Sequence, residues 1–258
     1  MTFESAACTD IGNRKTTNQD SYSIQLAALG EAQVAFLVVC DGMGGLEKGE
    51  LASAVLVCTL SEWFRTSFPK MLEEGFSYNR LKMEWLQLIQ RQNLIMSDYG
   101  HEHNISLGTT VTAALFLGEN YYACHVGDSR LYEIGDSVRQ LTQDHTLVAQ
   151  EVARGSITEE QAESHPQGNL LLQCVGASDI VIPDFLQGNI HTDKTYMLCS
   201  DGFRHKLKKT EIQEFLNPLA LPDREAILRH TRILVDMDKE RSEADNITVV
   251  LVKPLFTP

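Results

Sequence analysis

Short apolar runs at 22–26, 34–40, 110–117, 121–126, 130–134, 138–141, 180–185, 195–199 and 247–252 read as strands, and their order constrains the fold most strongly. Two long helical patterns stand side by side after the second run, and no helix follows each strand in turn, so a doubly wound parallel sheet is disfavoured. This order suits an α+β architecture: a β-sandwich of two antiparallel sheets with helices packed outside. The helical patterns cover 50–66, with Ala52, Val55, Leu56, Leu60 and Phe64 on one stripe, and 81–99, with Leu81, Trp85, Leu88, Ile89 and Ile95 on another. A third helix is expected over 222–239, with Pro222 near its start. The polar stretch 146–178, with a capped helical turn at 156–162, is expected to form a lid on a single domain spanning 1–258.

Composition narrows the function. Lys and Arg number 22 against 35 Asp and Glu, a formal net charge of −13, so a nucleic-acid partner is not expected: counterion release needs a clustered cationic face. No cationic segment followed by an apolar stretch opens the chain, and no apolar run reaches the ~18 residues of a membrane span. The six cysteines stand far apart, mostly inside apolar runs, which speaks for reduced thiols and a cytoplasmic location.

The sharpest local signal is chemical. Two apolar runs end in an aspartate followed by glycine, at Asp41-Gly42 and at Asp201-Gly202. A buried strand holds such a carboxylate rigidly at its mouth, and glycine lets the backbone turn or bring its own carbonyl toward a ligand. Asp-Gly usually marks a turn, but three glycines in the four residues after Asp41 exceed what a turn needs. Asp128 follows the run at 121–126, Asp245 precedes the run at 247–252, and Asp20 opens the run at 22–26. Carboxylates gathered from strand ends are what Mg²⁺ or Mn²⁺ requires, and two such ions roughly 3.5–4 Å apart can activate a water and clamp a phosphoryl group.

These residues sit in short motifs that resemble, in order along nearly the whole chain, the metal-dependent Ser/Thr protein phosphatases of the type 2C class (PPM family) in their compact bacterial form. The motifs are Asn18-Gln-Asp20, Val39-Cys-Asp41-Gly-Met-Gly-Gly45, Gly49-Glu-Leu-Ala-Ser53 and Gly108-Thr-Thr110. They continue through His125-Val-Gly-Asp128-Ser-Arg130, Leu141-Thr-Gln-Asp-His145, Leu198-Cys-Ser-Asp201-Gly202 and Asp245-Asn-Ile-Thr-Val-Val250. The resemblance implies a four-layer sandwich with helices on both outer faces and two or three Mn²⁺ or Mg²⁺ ions. It implies that Asp41 bridges two ions with the Gly42 carbonyl on one of them, that Asp201 and Asp245 complete the first, and that Asp20 holds waters of the second. Asp41, Asp201 and Asp245 would thus carry catalysis, and Asp128 would recruit a third ion with Asp201. The implied reaction is hydrolysis of phosphoserine and phosphothreonine esters by a metal-bridging water, with no covalent enzyme intermediate. The implied partners are phosphoproteins of a bacterial Ser/Thr kinase, with the enzyme monomeric and away from membranes.

The chain also departs from the family pattern. Where an arginine usually grips the phosphate stands Lys15, with Arg14 beside it, so either could supply that cation. Met43 replaces the histidine that eukaryotic relatives carry, which leaves the general acid unassigned. His145 is a candidate, though a lone histidine after a strand is more often structural, and His125 reads as core. Ser129 has no histidine pattern to make it a nucleophile, so Ser129 and Arg130 are expected to brace the site. Cys8 and Arg14 have the Cys-x5-Arg spacing of cysteine phosphatases, but Asp10 in that loop would repel phosphate. The rival from another class is a catalytically weak phosphatase-like binding or regulatory module; the intact Asp20, Asp41, Asp201 and Asp245 speak against it.

Overall fold

The computed structural model describes residues 1–43, 48–163 and 165–255. Among the described residues, strands form two antiparallel five-stranded sheets. The first runs in the order β1 (Thr2–Asp10), β10 (Ile247–Leu255), β9 (Thr195–Cys199), β6 (Arg130–Ile134) and β7 (Val138–Gln140). The second runs β2 (Asp20–Leu29), β3 (Ala32–Asp41), β4 (Val111–Leu117), β5 (Asn120–Val126) and β8 (Asp184–Asn189). Helices α1 (Gly49–Thr66), α2 (Phe68–Glu73) and α3 (Tyr78–His103) are sequential in the chain, and apolar residues of all three pack with the second sheet. The first sheet is covered by α6 (Asp201–Arg204), α7 (Lys209–Leu216) and α8 (Arg224–Glu240), while α4 (Leu147–Ala153) and α5 (Glu159–Glu163) lie in the polar stretch.

Period-two alternation sorts each central strand between two cores. In β3, Phe36, Val38 and Cys40 meet α1 and α3, while Ala35, Leu37 and Val39 meet the other sheet. In β10, Val249 and Leu251 face α7 and α8, while Val250 and Val252 face inward. Both faces of these strands are dry, which is why their sequences read as continuous apolar runs. The sandwich expected from the run order is therefore the observed fold, with helices on both outer faces. Among the described residues no helix is long and apolar enough to cross a membrane.

Several elements differ from expectation. Strand β1 was not expected; its sequence mixes small and polar residues, and it is a strand because β10 pairs with it along its full length. The strand expected at 180–185 starts instead at Asp184, because Pro183 has no N–H for the ladder; Ile180 and Ile182 are exposed. Ile95 of α3 is exposed as well, and Asn93 and Met96 are buried in its place, with the Asn93 amide donating to the Ser178 carbonyl at 2.9 Å. The turn expected from 156 is capped at Thr158, whose hydroxyl and N–H pair reciprocally with Gln161. Helix α8 begins after Asp223, whose carboxylate accepts the Ala226 N–H at 2.7 Å, with Pro222 outside it.

Candidate active site

Strands β2 and β3 are joined by the two-residue turn Gly30-Glu31, where Gly30 takes the left-handed φ of +62° that such turns require. That turn fixes the register, and the register sets Asp20, the first residue of β2, opposite Asp41, the last of β3. The Asp41 backbone is held on both sides: its N–H donates to Thr110 Oγ1 at 3.0 Å, and its carbonyl accepts from Thr110 N at 2.8 Å and Thr109 Oγ1 at 2.9 Å. Ser129 Oγ in turn lies 2.8 Å from Thr110 Oγ1, placing Ser129 behind Asp41. Gly42 must be glycine, since a Cβ there would meet the Gly49 carbonyl at 2.2 Å and the Gln19 carbonyl at 2.6 Å. Gly44 and Gly45 of the glycine run lie outside the described residues.

The other sheet supplies its carboxylates from connections. Asp201 begins α6 just past β9, and Asp245 precedes β10. Ser200 ties the two sheets together here: its hydroxyl donates to Asp20 Oδ2 at 2.8 Å and accepts the Thr248 N–H at 3.0 Å. Asn246 pins the 11–19 loop, accepting from Gln19 N at 2.9 Å and donating to the Ile11 carbonyl at 2.9 Å.

The electrostatics of these groups follow from their burial and their proximity. Burial pushes the Asp20 carboxyl up to about 7; the Ser200 hydroxyl pulls against that shift, and the charges of Asp201 and Asp245 add to it. Asp41 is raised well above the carboxylate range, first by burial and then by Asp20, Asp201, Asp128 and Asp245 together. Asp128 also rises to about 7, through burial and the Asp201 charge, against the pull of Arg204. Three buried carboxylates, Asp20, Asp41 and Asp128, are each raised by burial and by acidic neighbours, a setting that favours a bound cation. Among the described residues no three acidic, histidine or cysteine side chains close on a common point at coordination distance. What fits a hard divalent cation is the donor set: all oxygen, drawn from both sheets, with Asp20 Oδ1 and Asp201 Oδ1 buried and without any hydrogen-bond partner.

Lys15 lies in this group, with Nζ 2.9 Å from Asp245 Oδ1. Burial works against its charge, but the Asp245 hydrogen bond and the charges of Asp41 and Asp201 outweigh that, so its pKa is raised. Arg14 is exposed. His145 is engaged by the fold: Nδ1 accepts the Gly127 N–H at 3.2 Å, Nε2 lies 3.1 Å from Asp184 Oδ2, and the ring packs on buried His125. Burial, aided by His145, pulls the His125 pKa down to about 4, as expected for a neutral core histidine. Cys8 is shifted up by burial, the wrong direction for a thiolate nucleophile.

The sequence did not reveal three charged neighbours. The Arg204 guanidinium reaches 3.7 Å from Asp128 Oδ2 and 3.6 Å from Asp144 Oδ2, and Arg130 forks onto Asp144 at 2.8 and 2.6 Å. His205 and Glu243 stand beside Asp201 and Asp245. Their only signal in sequence was position, Arg204 and His205 just past Asp201-Gly202-Phe203 and Glu243 two residues before Asp245.

The 146–178 stretch is anchored beside Asp41. Thr109, which bonds the Asp41 carbonyl, also bridges to Val175, and the Leu172 N–H donates to the His145 carbonyl at 2.8 Å.

Comparisons with known proteins place the chain in a family and match its fold. Protein phosphatase PhpP of Streptococcus pneumoniae is 29% identical over 254 residues, 97% of each chain. The serine/threonine phosphatase structure of S. agalactiae superposes with a TM-score of 0.84 at 31% identity, covering 98% of this chain and 100% of that one. The catalytic domain of the serine threonine protein phosphatase PstP, solved in complex with 2 manganese ions, matches with a TM-score of 0.76 at 27% identity over 97% of both chains. The protein phosphatase 2C family model matches residues 12–236, spanning the Asp20–Asp41 hairpin and Asp201, and with it the chain belongs to the protein phosphatase 2C family.

Proposed function

We propose that this protein is a metal-dependent serine/threonine phosphatase acting on phosphoproteins made by a Ser/Thr kinase, with Asp20, Asp41, the Gly42 carbonyl, Asp201 and Asp245 holding Mn²⁺ or Mg²⁺. The observation that carries this reading is the convergence of strand-end carboxylates from both sheets, two of them with buried, unpartnered oxygens. Divalent ions bound there supply an acidified water and positive charge for the phosphoryl oxygens. The chain's own residues do the rest. The hairpin register holds Asp20 and Asp41 at a fixed spacing, and Ser200 orients Asp20. Lys15 carries its ammonium to the rim of the cluster, where a phosphate oxygen can take it from Asp245. Arg204 keeps a cation on Asp128, and the 146–178 segment, hinged on the neighbours of Asp41, is the lid over the bound phosphopeptide. Free thiols, four of them buried, support a reducing cytoplasm.

The test is metal removal. EDTA should abolish hydrolysis of a phosphopeptide and of a generic phosphate ester, and Mn²⁺ or Mg²⁺ should restore both. Full activity in a rigorously metal-free preparation overturns the reading, and a chain inert even with Mn²⁺ is the binding-module alternative.

A further inference from the structure

Asp201 follows β9 and Asp245 precedes β10; the β9–β10 ladder and the Ser200 N–H bond to the Thr248 carbonyl at 3.0 Å bring the two connections together, but both aspartates lie beyond the last paired residues. Glu243 touches the Asp245 turn directly and Asp201 through His205. It is 4% exposed, and its Oε1 accepts two consecutive backbone N–H groups, Ala244 at 2.8 Å and Asp245 at 2.9 Å, clamping the turn that presents Asp245. Its Oε2 is buried with no hydrogen-bond partner and lies 3.7 Å from His205 Nδ1. On the far side of the same ring, His205 Nε2 lies 3.5 Å from Asp201 Oδ2. One imidazole thus stands between a carboxylate that fixes the Asp245 turn and the Asp201 carboxylate itself. The Glu243 N–H is held in turn by the Asp238 carbonyl at 3.0 Å, at the end of α8.

We propose that Glu243 and His205 are positioning residues that hold Asp201 and Asp245 in the relative placement an ion needs. This rests on the metal reading above but assigns roles to two residues outside the carboxylate set. Lengthening or loosening the pair leaves each aspartate in place on its own element and lets the distance between them drift. The predicted loss is therefore in metal affinity, with the chemical step preserved once metal is forced on.

Calorimetric titration of Mn²⁺ into the metal-free full chain tests this without reference to turnover. Glu243→Ala and His205→Ala should each bind Mn²⁺ roughly 10- to 100-fold more weakly than the wild-type chain. The double variant should be little worse than the weaker single one, because the two act as one unit. The Mn²⁺ concentration for half-maximal turnover should rise in step, while kcat at saturating Mn²⁺ largely recovers. Glu243→Gln, which keeps an acceptor for the two N–H groups but faces His205 without charge, should fall between. Should Glu243→Ala not fold, Glu243→Gln and His205→Asn carry the same comparison, with the metal-free melting temperature as the check on structure. Wild-type Mn²⁺ affinity in the folded variants overturns the positioning pair alone. A wild-type chain that takes up no Mn²⁺, or an Asp41→Asn chain that takes up as much as wild type, overturns the metal reading and the pair with it.

Discussion

The two halves of the acidic cluster are positioned by different means. Asp20 and Asp41 are paired residues of one hairpin, so ladder hydrogen bonds and the Gly30 turn determine their spacing. Asp201 and Asp245 stand just beyond the paired residues of β9 and β10, where the ladder brings them near and side chains complete the placement: Ser200 and Asn246 across the sheets, Glu243 and His205 beside them. A backbone-positioned pair is rigid and tolerates substitution of its neighbours. A side-chain-positioned pair is adjustable and sensitive to them.

The largest effect should come from the rigid half. Asp41→Asn leaves the hairpin intact but cannot bridge two cations, and kcat should fall by roughly 10²–10³ or more. Asp245→Asn, on the adjustable half, should lose less at saturating Mn²⁺. Equal losses in kcat at saturating metal would erase the distinction between the halves.

Next in size is the cation at the rim. Lys15→Ala should lower kcat/KM on a phosphopeptide by roughly 1–3 kcal/mol, and Lys15→Arg should keep or improve it, since a guanidinium offers a two-bond fork. Arg14→Ala should change little, given its exposure. If the losses exchange places, Arg14 is the phosphate ligand and the Lys15 contact with Asp245 is purely structural.

The smallest effect concerns stability. Asp20 and Asp128 have an ordinary pKa of 3.8 and about 7 in the folded chain. A raised folded pKa means the native state holds the proton more tightly, so this contribution is complete below about 4 and is lost as pH rises through about 7. The melting temperature of the metal-free protein should accordingly fall between pH 5 and pH 8, and Mn²⁺ at pH 8 should reverse the fall. Asp20→Asn should flatten the slope. A metal-free melting temperature independent of pH would mean that these carboxylates do not share a desolvated space.

Much of this was legible in the sequence because the central strands are dry on both faces and write themselves as apolar runs, as at 34–40 and 195–199. The cluster aspartates were legible for the same reason, since each sits where such a run begins or ends. Strand β1 was not, because its register partner β10 lies more than two hundred residues away and its own composition is mixed. Strand β8 was misplaced because the apolar run 180–185 includes Ile180 and Ile182, which are exposed, and Pro183 pushes the ladder past them. Arg204, His205 and Glu243 escaped because their roles exist only once the two connections meet in space.

The pairing of β1 with β10 has a consequence for how the enzyme comes into being. Among the described residues β1 sits at the sheet edge and pairs with β10 alone, so during synthesis it must wait for nearly the whole described chain to emerge. A nascent chain that has passed α6 already carries Asp20, Asp41 and Asp201 but neither Asp245 nor a finished first sheet. Under the proposed metal reading such a chain still lacks one carboxylate of the site, and its exposed strand edges mark the interval in which it is most prone to aggregate.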